Sequence, residues 1–161
     1  MAKKIEVEQK FLLKRLPDLK WDKVLHIYQL YLPDGSRLRE TRDATNGIPF
    51  PFGGNPKYEL TRKNKLKPGV YEEDECEISE KKYRKLAKKA LSIIKKTRYI
   101  HKMRNLKWEI DLYRNVAMIT AEIELPYEGA PYAIPSTMCK ELVLNVTEFS
   151  QFTNRSLSVD L

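Results

Sequence analysis

Acids and bases recur at every second position along most of this chain. Glu6, Glu8 and Lys10 fall on one side of an extended segment whose other side carries Ile5, Val7, Phe11 and Leu13, because successive strand side chains point to opposite faces. The alternation returns with Arg37 and Arg39, with Glu59, Thr61 and Lys63, with Glu73, Glu75 and Glu77, with Lys96 and Arg98, with Glu109 and Asp111, and with Glu122 and Glu124. Leu38, Tyr58, Leu60, Ile78, Trp108, Ile110 and Ile123 occupy opposite faces. Carboxylates two apart on one strand face can share an oxygen-liganded divalent cation, as Glu6 with Glu8 and Glu122 with Glu124 are spaced to do. Guanidinium and ammonium groups match phosphate oxygens. A metal-bound polyphosphate satisfies both sets at once.

These side chains need elements that bring them together. One amphipathic strand is most simply a solvated edge, but eight segments share the pattern, and their polar face holds almost no Ser, Asn or Gln. Closing them with the charges inward makes a barrel, and about eight strands leave room for one small ligand. Lys10, Arg37, Arg39, Lys63, Lys96 and Arg98 would then face Glu6, Glu8, Glu75, Glu77, Asp111, Glu122 and Glu124 across a lumen. Each such ion buried alone costs on the order of several kcal/mol, so the lining calls for something that neutralises it.

Turn signals and periodicity divide the chain accordingly. Pro33-Asp34-Gly35 predicts a hairpin between a strand carrying Ile27, Gln29 and Tyr31 and a return strand from Ser36 to Asp43. Residues 44–56 form an irregular loop, a lid or a packing flap, with Ile48, Phe50 and Phe52 as its apolar members. A strand resumes at Lys57, Pro68-Gly69 turns the chain, and Val70 to Ser79 forms the next strand. The stripe Tyr83, Leu86, Ala87, Ala90, Leu91 and Ile94 then predicts a helix capped by Ser79, its lysine face solvated. Strands over Lys96–Met103, Leu106–Tyr113 and Val116–Leu125 follow, and 126–144 reads as irregular. The reading is an α+β chain, a single domain over 1–161, built as an eight-stranded β-barrel with a charged interior and a few flanking helices.

With 161 residues and 42% apolar content the chain suffices for one core. No apolar run approaches a membrane span, and the opening Met1-Ala2-Lys3-Lys4-Ile5-Glu6 lacks a leader's apolar region, so a cytoplasmic protein with no membrane partner is expected. Cys76 and Cys139 make neither a disulfide framework nor a metal-ligand spacing. The net charge of +8 selects anionic partners without naming them.

The ordered set Glu6-Val7-Glu8-Gln9-Lys10, Gln29-Leu30-Tyr31, Arg37-Leu38-Arg39, Leu60-Thr61-Arg62-Lys63, Glu75-Cys76-Glu77, Lys96-Thr97-Arg98, Trp108-Glu109-Ile110-Asp111, Ala121-Glu122-Ile123-Glu124 and Asn154-Arg155-Ser156-Leu157 resembles the CYTH, or triphosphate tunnel metalloenzyme, superfamily. The resemblance runs over nearly the whole chain. It departs at 126–144, which lacks a helical proline-tryptophan-rich stretch, and at Asn145, where the family often has Glu.

The resemblance implies a tunnel-forming antiparallel barrel acting on triphosphates with magnesium or manganese. It implies Glu6, Glu8, Asp111, Glu122 and Glu124 as metal ligands. Glu75 and Glu77 would help with a second metal or the attacking water. Lys10, Arg37, Arg39, Lys63, Lys96 and Arg98 would grip phosphates, with Lys10 and Tyr31 paired near the reacting phosphate. The expected activity is hydrolysis of a phosphoanhydride in a short triphosphate, above all inorganic tripolyphosphate, by metal-activated water. Class IV-type adenylate cyclase, thiamine triphosphatase and a non-catalytic polyphosphate- or RNA-binding module are the alternatives. A small-molecule triphosphate is the expected partner, nucleic acid is not, and a homodimer is kept open.

Overall fold

A computed structural model of the chain describes residues 3–161; Met1 and Ala2, part of the stretch read for a leader, lie outside them. The strands are β1 (Lys3–Leu13), β2 (Lys23–Tyr31), β3 (Arg37–Asp43), β4 (Lys57–Lys67), β5 (Val70–Glu77), β6 (Ser92–Met103), β7 (Leu106–Tyr113), β8 (Ile119–Leu125), β9 (Leu142–Asn145) and β10 (Val159–Asp160). The helices are α1 (Glu80–Ala87), α2 (Ser136–Cys139) and α3 (Asn154–Leu157), with a 3-10 turn at Ser150–Phe152.

The strands pair antiparallel in the order β6-β2-β3-β4-β5-β1-β8-β7, and β7 returns to β6, so eight of them close a barrel. The expected tunnel fold is therefore present. Hydrogen bonding along one edge of β1 passes from element to element: β5 pairs Lys3 to Val7, and β9 pairs Phe11 to Leu13. Between them the backbone N–H of Glu8 donates to the carbonyl of Gly69 at 2.8 Å, and that of Lys10 donates to Thr147 Oγ1 at 2.9 Å. Gly69, at φ +76°, allows this approach, since a Cβ there would stand 2.7 Å from the Glu8 carbonyl oxygen.

Because the polar faces turn inward, the apolar faces must be covered from outside. Segment 126–141 does this for β1, β7 and β8, laying Ala130, Tyr132 and Met138 over Phe11, Trp108, Ile110 and Ile123. Helix α1 covers β2, β3 and β4, with Tyr83 stacked 4.6 Å from Tyr58 over Leu30 and Leu38. Tyr31, Ile94, Tyr113 and Leu157 make a smaller third cluster.

Ser79 caps α1 as its position implies, its side chain accepting from the Lys82 N–H. The helix nevertheless stops seven residues short of Ile94. Leu91 N–H donates to the Tyr31 carbonyl at 2.8 Å, which starts strand pairing, and Ile94 is fully buried on β6. Tertiary pairing and burial override the local helical period. The stretch 126–144 is not wholly irregular: α2 and the start of β9 lie within it. The 44–56 loop is a packing flap, with Phe50 against His26 and Tyr28 at 5.3 and 5.4 Å and His26 Nε2 bonded to the Ile48 carbonyl.

Candidate active site

The deepest charges are on β6 and β7, where Arg98 stands opposite Asp111. Asp111, 1% exposed, accepts from Arg98 Nε at 2.7 Å and Nη2 at 2.9 Å and from Lys96 Nζ at 2.9 Å. Burial opposes its ionisation, but Arg98 and Lys96 outweigh it and hold the carboxyl well below the usual range. Arg98 also donates to Glu109 at 2.9 Å. Lys96 is fully buried, and burial, with Arg98 and Arg39 adding repulsion, pushes its pKa down to about 7 in spite of Asp111.

Two arginines of β3 are less fully paired. Arg39 donates from Nε and Nη2 to the neutral Gln29 Oε1, at 3.1 and 2.8 Å, and no carboxylate of the described residues lies within ion-pair distance of it. Burial first, and then Arg37 and Arg98, push its pKa down to about 10. Arg37 reaches Thr61 Oγ1 at 3.3 Å and Glu75 at 3.6 Å, leaving its Nε buried without a partner. The positive charge here is only partly answered, by Glu75 on Arg37 and more distantly by Glu75 and Glu109 on Arg39.

The carboxylates gather along β1, β5 and β8. Glu6 takes Lys63 at 3.1 Å, Lys63 stands 3.8 Å from Glu8, and Lys10 stands 3.3 Å from Glu122. Glu6 is held down to about 2 against burial by Lys63 and by bonds from Glu73 and Glu8; Glu122 is held down to about 2 against burial by Lys10 and Arg98. Glu8 goes the other way, since burial and the Glu122 charge push its pKa well above the ordinary value. Glu73, bonded to Glu6, is pushed up to about 7 by burial and by that contact. Burial works against the ammonium of Lys10, yet Tyr113, Glu122, Glu8 and Asp111 raise its pKa on balance.

A cavity of about 260 Å³ opens onto some of these groups, while Glu6, Arg39, Lys96, Arg98 and Asp111 lie outside its lining. Glu8, Lys10, Tyr31, Arg37, Lys63 and Glu122 line it from the barrel, and residues 146–155 of the C-terminal segment contribute its outer wall. Tyr31 and Lys10 thus share one cavity; the Tyr31 hydroxyl accepts from Gln29 at 3.3 Å, and the Arg155 guanidinium lies 5.0 Å from its ring.

The expected residues separate into groups. Glu6, Glu8 and Glu122 converge with Lys10 and Lys63, while Arg37, Arg39, Lys96 and Arg98 form the cationic side. Asp111 is saturated by Arg98 and Lys96, and it shares Arg98 with Glu109. Glu124 is exposed, with Lys4 at 3.9 Å. Glu77 is exposed at the end of β5, while Glu75 accepts from Thr61 at 2.7 Å. Of the three glutamates alternating on β5, it is Glu73 that is buried beside Glu6. Spacing places all three on one face and does not say which sits at mid-barrel. Gln29, Thr61, Tyr113 and Asn154 also enter the site; only their shared parity with expected residues, or for Asn154 its motif, signals this.

Among the described residues no three Asp, Glu, His or Cys side chains are already arranged to hold a metal ion. The loop 44–56 does not line the cavity, and its aromatics pack on the outer faces of β2 and β3.

A scan of protein-family models and a search of curated proteins found no match to the chain. Solved structures do share its fold. The inorganic triphosphatase NE1496 superposes with TM-score 0.61 at 23% identity, over 97% of this chain and 95% of its own. A conserved hypothetical protein from Pyrococcus furiosus gives TM-score 0.50 at 22% identity, over 77% and 80% of the two chains. The PH1819 protein from Pyrococcus horikoshii gives 0.51 at 18% identity, with the same coverage.

Proposed function

We propose that this barrel is a metal-dependent triphosphatase of the triphosphate tunnel class, which hydrolyses a phosphoanhydride bond of a short triphosphate, above all inorganic tripolyphosphate. The observation that carries the reading is Arg39, a guanidinium bonded to the Gln29 amide and within ion-pair distance of no carboxylate among the described residues, on the same strand face as Arg37 with its unpartnered Nε. Phosphate oxygens supply the ionic partner that Arg39 lacks and an acceptor for the Arg37 Nε. The fold shared with an inorganic triphosphatase supports the same reading.

Binding and orientation come from this chain's own residues. Arg37, Arg39, Lys63, Lys96 and Arg98 hold phosphate oxygens from several sides, which aligns the anhydride for in-line attack and neutralises charge on the oxygens as the bond breaks. Asp111 keeps Arg98 and Lys96 aimed. Lys10 remains charged beside Tyr31 and faces the phosphate at the point of attack. Glu75, with Glu77 at the barrel end, contributes the acidic side toward which water is drawn.

The donor chemistry fits magnesium or manganese. Glu6, Glu8 and Glu122 are hard oxygen donors, and burial first, then the Glu122 charge, raises the pKa of Glu8, an energetic cost that a divalent cation would relieve. Glu6, Glu8 and Glu122, with Glu124 from the rim, would hold the cation once a triphosphate draws the two lysines away; Asp111 would contribute by holding the cationic side. A bound divalent cation would neutralise phosphate oxygens and acidify a water molecule.

The test is a panel of tripolyphosphate, ATP and thiamine triphosphate with Mg2+ or Mn2+, reading phosphate, pyrophosphate and cyclic AMP together. Phosphate release from tripolyphosphate is expected; release from none of the three ends the hydrolase reading, and cyclic AMP from ATP selects the cyclase. Glu8→Gln should abolish metal-dependent turnover, and improved turnover would remove Glu8 from the metal set.

A further inference from the structure

We propose that the side-chain amide nitrogen of Asn154, at the start of α3, is a phosphate-binding donor of this site, an assignment that rests on the triphosphate reading above. The Asn154 Oδ1 accepts from two donors at once, Lys96 Nζ at 3.4 Å and the Tyr113 hydroxyl at 2.5 Å. An ammonium and a phenol hydroxyl both donate here to the one amide oxygen. The Nδ2 group is left pointing the other way, without a hydrogen-bond partner among the described residues, and it is not among the fully buried unpaired atoms. Asn154 lines the cavity together with Arg37, Lys10 and Lys63. Asn154 thus brings to the cavity two N–H donors that no described residue occupies, on a side chain that carries no charge of its own.

The C-terminal segment is placed well enough for this contact to be reproducible. Thr153 caps α3 by accepting from the Ser156 N–H, Leu157 is buried against Tyr31, Ile94 and Tyr113, and Arg155 bonds to the Gly35 carbonyl at 2.5 Å. Asn154 reaches the lumen from an element outside the barrel ring, so it couples the seating of that segment to the occupancy of the cavity.

The substitution Asn154→Asp separates donation from positioning. A carboxylate keeps an oxygen for Lys96 and Tyr113 and strengthens the contact with Lys96, but it removes both amide protons and turns an anion toward the phosphates. If Asn154 lies away from the bound phosphates and only positions Lys96, the variant binds tripolyphosphate as well as the wild type does. If it donates, Kd by calorimetry and KM with Mg2+ both rise by roughly ten- to a hundredfold, the range for a hydrogen bond to a charged group. In the wild type, the Asn154 side-chain amide resonance should shift on saturation with tripolyphosphate, which does not depend on a variant folding. An unmoved resonance, or an Asn154→Asp variant of wild-type affinity, overturns the assignment while leaving the triphosphatase reading intact. Wild-type protein that neither binds nor hydrolyses tripolyphosphate overturns both.

Discussion

Asp111→Asn tests whether the lumen's cations are held by the charge network seen on β6 and β7. The substitution preserves shape, so no cavity is created, but it removes the one anion that three charge-assisted donors share at 2.7–2.9 Å. Lys96 is left fully buried without an ionic partner, and Arg98 retains only Glu109. Removing one member of a buried pair costs about 3–5 kcal/mol, against a total stability on the order of 5–15 kcal/mol for a domain. At this chain length roughly 2–4 °C accompany each kcal/mol, so the melting temperature should fall by about 6–20 °C. Urea unfolding at neutral pH measures the free energy directly, and an unchanged slope would show that the unfolded state is the same. The wild type should also lose this contribution as pH falls below the ordinary aspartate range, because the folded-state pKa of Asp111 is depressed and its stabilisation exists only above the pKa of the unfolded chain. The variant should lack that acid limb. A loss under about 1 kcal/mol would refute the account, since it would mean that Lys96 and Arg98 are already neutralised by other means.

Arg39→Met should leave the melting temperature unchanged or higher, because it removes a cation with no ion-pair partner, while weakening tripolyphosphate binding by roughly ten- to a hundredfold in calorimetry; a large loss of stability would contradict the contacts seen at Gln29. Glu73→Gln should flatten the pH dependence of stability between 4.5 and about 7: the raised folded pKa makes the Glu73 contribution full below the ordinary glutamate value and lost as pH rises to 7, so thermal melts across that window should fall with pH in the wild type and less in the variant. Trp108→Ala empties a site with 0% exposure between β7 and the 126–141 cover, and should cost about 3–5 kcal/mol in urea unfolding without altering the lumen's charge.

The strand pattern made much of the site legible because a period of two assigns each residue to a face without reference to anything distant. Glu6, Glu8 and Lys10, or Arg37 and Arg39, could not be split between faces by any regular strand. Height along the barrel was not legible in the same way. Glu73, Glu75 and Glu77 are equivalent by parity, and only the pairing of β5 with β1 and β4 decides that Glu73 meets Glu6 while Glu77 lies at the open end. Likewise the apolar period from Tyr83 onward runs smoothly through Ile94, and nothing local announces that Ile94 is worth more inside the barrel than on a helix.

Thus the sequence by itself determined which face of each strand carries the charges, the number of strands needed to enclose them and the mixing of cations with acids on that face, since each follows from alternation and charge. The tertiary structure alone decided who neutralises whom. Asp111 belongs to Arg98 and Lys96, Arg39 is left to an amide, and the C-terminal helix brings Asn154 across the cavity mouth. Those outcomes depend on strand register and on contacts between residues far apart in the chain, and electrostatic energy in a buried site changes over ångströms that no sequence spacing encodes.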